Sequence, residues 1–76
     1  MGALELQLKR HWAEHLPKMY AELEANGTLD SRLKETADQM REQETTMLRQ
    51  GINPDQAREM TREIGFLPGE DNDNQS

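Results

Sequence analysis

The chain has no cysteine, no valine and only three aromatic residues, Trp12, Tyr20 and Phe66. Without cysteine it can form neither a disulfide bond nor a thiolate zinc site. Only 33% of its 76 residues are hydrophobic, and a single core in a chain below ~70–80 residues rarely supplies more than ~3–5 kcal/mol. We therefore expect one small domain with a thin core. A marginal monomer, a homodimer and a chain stabilised by a partner all remain open.

The sequence also has no long apolar run and no excess of positive charge. No membrane-spanning segment is predicted, the N-terminal residues do not resemble a signal peptide, and the lack of cysteine suits a reducing cytoplasm. The 15 acidic and nine basic residues give a net charge of −6. Nucleic-acid-binding surfaces usually carry a basic patch, whereas the basic residues here are scattered among acidic ones. Direct nucleic-acid binding is therefore not expected, and the acidity favours basic partners.

Apolar residues recur at helical spacing in four segments, and none alternates as a half-buried strand does. The predicted fold is all-α, a small bundle of three to four helices at about residues 3–15, 17–26, 29–50 and 54–64. Residues 1–68 are expected to form the single domain, in which residues 66–68 fold back as an apolar plug. The acidic, polar residues 69–76 are expected to be a disordered tail.

Proline and glycine define the predicted helix ends. Pro17 should bend the chain between the first two helices, because it lacks an N–H but fits the first turn of a new helix. Gly27 and Gly51 should end the second and third helices in left-handed conformations. Asn53 should cap the fourth helix, whose inward side is predicted to include Met60 alongside Ala57 and Ile64.

The segment HWAEH, from His11 to His15, spells the H-x-x-E-H pattern of a metalloprotease. Two histidines four residues apart on a helix can reach one metal ion, but Glu14 lies about 100° away from His15 around the helix. A catalytic site also needs a third ligand and an enclosed cleft. We favour an interpretation in which both histidines flank Trp12 at the edge of the core and Glu14 faces water. No metal, cofactor or catalytic residue is expected, and the protein is not expected to be an enzyme.

Seven residues are candidate partner-binding residues. Aromatic side chains are enriched at interface hot spots, although the core is the favoured role of the aromatic pair in the first half of the chain. Methionine adapts to varied partners, and the apolar stripe of the third helix is interrupted by an acidic residue. The candidates are Trp12, Tyr20, Glu42, Glu44, Met47, Leu48 and Phe66.

Three segments, HWAEHLPKMYAELEANGTLDSRL, GINPDQAREM and FLPGE, resemble small helical proteins of bacterial transposons and prophages, in particular the TnpV family. An aromatic–Leu-Pro-x-Met-Tyr-x-x-Leu segment, a Gly-x-Leu turn and a Gly-hydrophobic-Asn segment before a final aromatic-Leu-Pro carry the resemblance. These positions are Trp12, Leu16, Pro17, Met19, Tyr20, Leu23, Gly27, Leu29, Gly51, Ile52, Asn53, Phe66, Leu67 and Pro68. The resemblance implies an origin in a mobile genetic element and supplies no catalytic residues.

The sequence supports two functional hypotheses. The first is a small acidic protein-interaction module from a phage or mobile element. It would bind and inhibit a host or phage-encoded nucleic-acid-handling protein, such as a nuclease or a CRISPR effector complex. The alternative is an accessory nucleic-acid-associated protein with a helix-turn-helix-like arrangement. In that case Arg58 and Arg62 would form the basic face of its last helix, although Asp55, Glu59 and Glu63 crowd them.

Overall fold

The computed structural model describes residues 2–69, which form an all-α fold. Its helices are α1 (Ala3–His15), α2 (Pro17–Ala25), α3 (Leu29–Arg49) and α4 (Pro54–Gly65), and there is no strand within residues 2–69. The predicted fold class is confirmed, and each helix begins and ends within one residue of its expected position. The predicted disordered tail lies outside the described residues, apart from Gly69.

The helix ends follow from local backbone chemistry. Pro17 is the first residue of α2, and Leu16 before it is non-helical with φ −131° and ψ 55°. Gly27 and Gly51 have φ of 72° and 88°. At each of them, two backbone hydrogen bonds of the Schellman type satisfy carbonyl groups in the last turn. The N–H groups of Gly27 and Thr28 donate to Glu24 and Leu23 at 3.1 and 2.9 Å, and those of Gly51 and Ile52 donate to Leu48 and Met47 at 3.1 and 3.0 Å.

The start of α4 is set by Asn53 and Pro54. The Asn53 side-chain oxygen accepts a hydrogen bond from the backbone N–H of Asp55 at 2.9 Å. Pro54 occupies the first helical turn, where its missing N–H has no cost. The predicted cap is therefore confirmed.

The core lies between α1 and α3. Leu8 and Leu33 are completely buried, Trp12 is 2% exposed, and Leu16, Leu29, Ala37 and Met40 complete the cluster. Helix α2 contributes no fully buried residue but rests on this cluster through Met19, Tyr20 and Leu23. The Cα atoms extend only 15 Å in the thinnest direction, so a large part of each helix surface faces solvent.

Small side chains bring α4 close to the rest of the fold. Ala57, Thr61 and Gly65 are its buried residues and repeat every four positions. At Gly65 the approach is too close for a side chain, because an added Cβ would lie 2.5 Å from a methyl carbon of Leu8 and 2.8 Å from the sulfur of Met40. Met60 lies about 100° around the helix from Thr61 and is 46% exposed. The prediction that Met60 faces inward was wrong.

The segment after α4 folds back against α1. The indole N–H of Trp12 donates to the Gly65 carbonyl, and Nε2 of His11 donates to the Leu67 carbonyl, both at 2.8 Å. Phe66 and Leu67 pack against the core cluster. The prediction of an apolar plug is confirmed for Phe66 and Leu67, whereas Pro68 is exposed. The two hydrogen bonds fix where Phe66 meets the surface.

Candidate interaction groove

A groove runs along the surface where α1, α3 and α4 meet. It consists of two adjoining pockets that share Gln7, Arg62 and Phe66. The first, of about 220 Å³, is also lined by Leu4, Met40, Arg41, Glu44, Arg58 and Thr61. The second is also lined by Arg10, His11 and Glu14. We call these two pockets together the arginine groove.

Four of the six arginines in the chain line the arginine groove. On α4, Arg58 and Arg62 follow the buried residues Ala57 and Thr61 by one position, so they form a row along the edge of its buried face. On α3, Arg41 follows the buried Met40 in the same way. Arg41 therefore lines the first pocket from α3 while the α4 row lines it from α4, and Arg10 lines the second pocket from α1.

These arginines differ in how strongly they are already engaged. Arg41 contacts Glu5 at 3.0 Å and Asp38 at 3.3 Å. Arg58 reaches Glu44 only at 4.0 Å. The guanidinium carbon of Arg62 lies 4.7 Å from the centre of the Phe66 ring.

Arg10 and Arg62 form no ion pair with any carboxylate in the described part of the chain. Their N–H groups are therefore available to an anionic ligand. This distinguishes them from Arg41, which already has two acidic neighbours.

The carboxyl of Glu5 on α1 has a lowered pKa. A hydrogen bond from its backbone amide lowers the pKa of the Glu5 carboxyl below the ordinary value of 4.5. Burial opposes that shift, whereas the hydrogen bond and positive charge of Arg41 increase it. Glu5 therefore stays ionised and holds Arg41 at the rim of the arginine groove.

The arginine groove has a positive lining although the chain is acidic: four arginines outnumber its two glutamates, Glu14 and Glu44. Residues 2–69 carry nine basic and twelve acidic residues, a net charge of −3, and the other three acidic residues are Glu70, Asp71 and Asp73. Half of the net charge of −6 therefore comes from the last seven residues. Within the folded part, α3 mixes the two signs in its Arg32–Glu35 and Arg41–Asp38 pairs, whereas α4 separates them by face.

Helix α4 shows this separation clearly. Asp55, Glu59 and Glu63 are exposed and four residues apart, so they form a row on its solvent side. We call this the acidic row. Arg58 and Arg62 lie along one flank of it, and Met60 lies along the other. The acidic residues that crowd the two arginines in the sequence thus lie in a separate row beside them on the helix.

The residues predicted to bind a partner do not form one site. Phe66 and Glu44 line the arginine groove. Glu42 lies on the opposite side of α3, in a shallow depression with Gln39, Gln43 and Ile64. Leu48 is 42% exposed and Met47 is half-buried, both near the end of α3.

The two remaining candidates belong to the core or rest on it. Tyr20 is half-buried on α2 and packs against the core cluster. Trp12 is removed from the candidate interface, because at 2% exposure and with its N–H bonded to Gly65 it offers no surface to a partner.

Sequence reasoning missed Arg10 and Arg41 and placed Arg58 and Arg62 only in the alternative hypothesis. The sequence signal that could have identified them was their position relative to the inward-facing residues of each helix. Arg41 directly follows an inward-facing methionine, and Arg58 follows an inward-facing alanine. A basic residue in that register lies at the border of a helical interface, where it can cover a groove between helices.

The two histidines are close together, with ring centres 4.7 Å apart. A carbonyl oxygen only accepts hydrogen bonds, so the contact with Leu67 requires a proton on Nε2 of His11. That nitrogen is therefore occupied. Glu14 has a side chain that is 65% exposed, and no group of three or more potential metal ligands occurs within residues 2–69.

No family model, curated protein or solved structure matches the chain. The resemblance to TnpV proteins therefore stays a prediction. None of the helices within residues 2–69 combines the length and the apolar character needed to cross a bilayer.

Proposed function

We propose that the protein is a small interaction module of a phage or mobile element that binds and inhibits a nucleic-acid-handling protein, such as a nuclease or a CRISPR effector complex. The observation that carries the proposal is the solvent-facing surface of α4. There the exposed apolar side chain of Met60 lies beside the acidic row. Burial of such an apolar side chain supplies binding energy, and neighbouring charges supply orientation.

The acidic row supports the choice of partner class. Its carboxylates recur every four residues, which is about 6 Å along a helix. A protein that holds nucleic acid has a basic surface shaped for a line of phosphates. The acidic row presents a line of negative charge to such a surface and would compete with the nucleic acid for it.

The test begins with the identification of a partner by capture on the tagged full-length protein, followed by an inhibition assay with both proteins purified. The double variant Glu59→Gln/Glu63→Gln removes two charges from the acidic row. Glu22→Gln/Glu24→Gln removes two exposed charges from α2 and is the matched control. We expect the inhibitory potency to fall at least tenfold for the first variant and less than twofold for the second. Equal losses of potency in the two variants would mean that inhibition depends on the net charge of the protein and not on the acidic row.

The apolar contribution is tested separately. Met60 and Leu6 are both exposed apolar side chains, 46% and 54% respectively, on different helices. Met60→Ser should weaken inhibition at least tenfold, whereas Leu6→Ser should leave it within twofold. A larger effect of Leu6→Ser would move the interface away from α4.

The alternative is a nucleic-acid-associated protein, and the row formed by Arg58 and Arg62 favours it. Phosphate contacts from these side chains would make binding fall steeply with salt. Anisotropy with labelled duplex DNA provides the test. Because the acidic row lies directly beside the arginines, we expect no DNA binding at physiological ionic strength.

A further inference from the structure

We propose that the arginine groove binds an acidic peptide segment of the partner protein, in which a carboxylate lies next to an apolar side chain. This inference rests on the proposed function, because it assigns a second contact surface to the same complex. It concerns a different face of α4 from the acidic row, so each surface can be altered without the other.

Arg62 is the central carboxylate-binding residue. Its guanidinium group lies over the Phe66 ring with 4.7 Å between the guanidinium carbon and the ring centre. Phe66 is itself packed against the core, so the ring positions the guanidinium group before any ligand arrives. A guanidinium held over an aromatic ring, with no carboxylate partner of its own, keeps its N–H groups for a bidentate carboxylate contact.

Arg10 and Arg58 flank this position. Arg10 shares a pocket with Arg62 and has no carboxylate partner in residues 2–69. Arg58 is separated from Glu44 by 4.0 Å, and its side chain is 68% exposed. An exposed pair at that distance contributes little, so a ligand carboxylate can replace Glu44 at small cost.

The apolar part of the ligand is assigned from the first pocket. Leu4, Met40 and Phe66 contribute to its lining beside the arginines. Its volume of about 220 Å³ lies below the ~300–1,000 Å³ of a typical small-molecule site. A single leucine-sized side chain next to a carboxylate fits this combination of size and chemistry.

The charge distribution favours a peptide over nucleic acid. A polyanion laid across the arginine groove would also pass the acidic row, which is on the adjacent face of α4. It would meet a folded region with a net charge of −3. A short segment with one or two carboxylates meets a lining of four arginines and two glutamates, and so a local excess of positive charge. Local complementarity of this kind determines which partners fit.

The test uses fluorescence anisotropy with the full-length protein and a fluorescein-labelled octapeptide of aspartate, glutamate and leucine. The amide analogue, with asparagine and glutamine in place of the acids, is the ligand control. We expect the acidic peptide to bind at least tenfold more tightly than the analogue. Equal affinity would overturn the proposal.

Matched variants locate the binding. Arg62→Gln should weaken binding of the acidic peptide at least tenfold, and Arg62→Lys should weaken it less, because lysine keeps the charge but loses the fork of N–H groups. Arg49→Gln removes an exposed arginine from the other side of α3 and should change affinity less than twofold. Trp12 fluorescence verifies that each variant is folded. Similar losses for Arg49→Gln and Arg62→Gln would refute the assignment.

A labelled single-stranded DNA of equal length separates the two ligand classes. If it binds as tightly as the peptide, and Arg62→Gln weakens both, the arginine groove is a phosphate site and the peptide assignment is wrong. The two proposals also fail differently. Loss of inhibition in Glu59→Gln/Glu63→Gln, with no peptide binding, would leave the proposed function standing. If the protein binds the acidic peptide but inhibits no captured partner, the peptide site stands and the proposed inhibitory function fails.

Discussion

Replacement of Gly65 by alanine is the sharpest test of the packing described above. The backbone at Gly65 is helical and has no positive φ, so alanine can adopt its conformation. The difficulty is space. The new methyl group would lie 2.5 Å from a methyl carbon of Leu8, which is completely buried, and 2.8 Å from the sulfur of Met40. Met40 can adjust, whereas a shift of the completely buried Leu8 side chain would disturb the core residues packed around it.

The expected cost follows from two opposing effects. Overpacking of a well-packed core typically costs ~1–3 kcal/mol. A glycine-to-alanine change gains at most ~1 kcal/mol in a helix interior, and less here because Gly65 is the last residue of α4. We expect a net destabilisation of about 1–2 kcal/mol. For a chain of this size that corresponds to a decrease in Tm of about 5–15 °C.

The assay is urea unfolding followed by the fluorescence of Trp12, which is the single tryptophan and is buried. Gly69→Ala is the matched control, because its nearest contact would be an ordinary 3.4 Å, and its effect should stay within ~0.5 kcal/mol. Leu8→Ala removes the group that clashes. The double variant with Gly65→Ala should therefore be more stable than the sum of the single effects by at least ~0.5 kcal/mol.

Two results would refute this account. If Gly65→Ala is as stable as the native chain, α4 does not approach α1 as closely as described. If the effects of Gly65→Ala and Leu8→Ala simply add, the loss comes from somewhere other than their contact. Either result would also weaken the placement of Phe66, which follows Gly65 directly.

Four further predictions concern single positions. Trp12→Phe leaves the Gly65 carbonyl without its indole donor and should cost about 1–3 kcal/mol in urea unfolding followed by circular dichroism. Gly51→Ala should cost about 1–2 kcal/mol by the same measurement, because alanine resists φ of 88°. The pKa of Glu5 is lower in the folded chain than its ordinary 4.5, so its ionised form stabilises the fold above that pH. The native chain should therefore have a larger free energy of unfolding than Glu5→Gln above pH 4.5, and this difference should disappear as the pH falls through the folded pKa. Equimolar zinc should raise the Tm by less than about 1 °C, because Nε2 of His11 is already bonded to a carbonyl; a larger rise that His11→Ala removes would contradict this.

The helices were predictable because their ends depend on nearby residues. Gly27 and Gly51 adopt the left-handed conformation that other residues avoid, and Asn53 with Pro54 satisfies the first turn of α4. These interactions reach over a few residues, so they can be read from the chain without knowledge of its packing. The same holds for the bend before Pro17.

The orientation of α4 was less predictable, since it depends on another helix. Hydrophobicity ranked Met60 above Thr61 as an inward residue. The structure buries Thr61 and exposes Met60, because Ala57, Thr61 and Gly65 let α4 approach closely. The Thr61 hydroxyl is satisfied by the Arg58 carbonyl at 3.0 Å, which removes the usual penalty of burying it. The sizes of the side chains and a local hydrogen bond determine which face of α4 is buried. A pattern of hydrophobic residues carries no information about either.

The candidate site was missed for a related reason, namely that net charge was treated as a property of the whole surface. Between exposed groups, electrostatic forces are screened beyond about 8–10 Å in physiological salt, so a ligand responds to the charges beside it. On α4 the acidic row lies outside, while Arg58 and Arg62 border the groove that contains Phe66. A partner with a basic surface and an acidic segment would satisfy both faces. Because each face can be neutralised independently, charge variants on α4 can establish which of them sets the affinity.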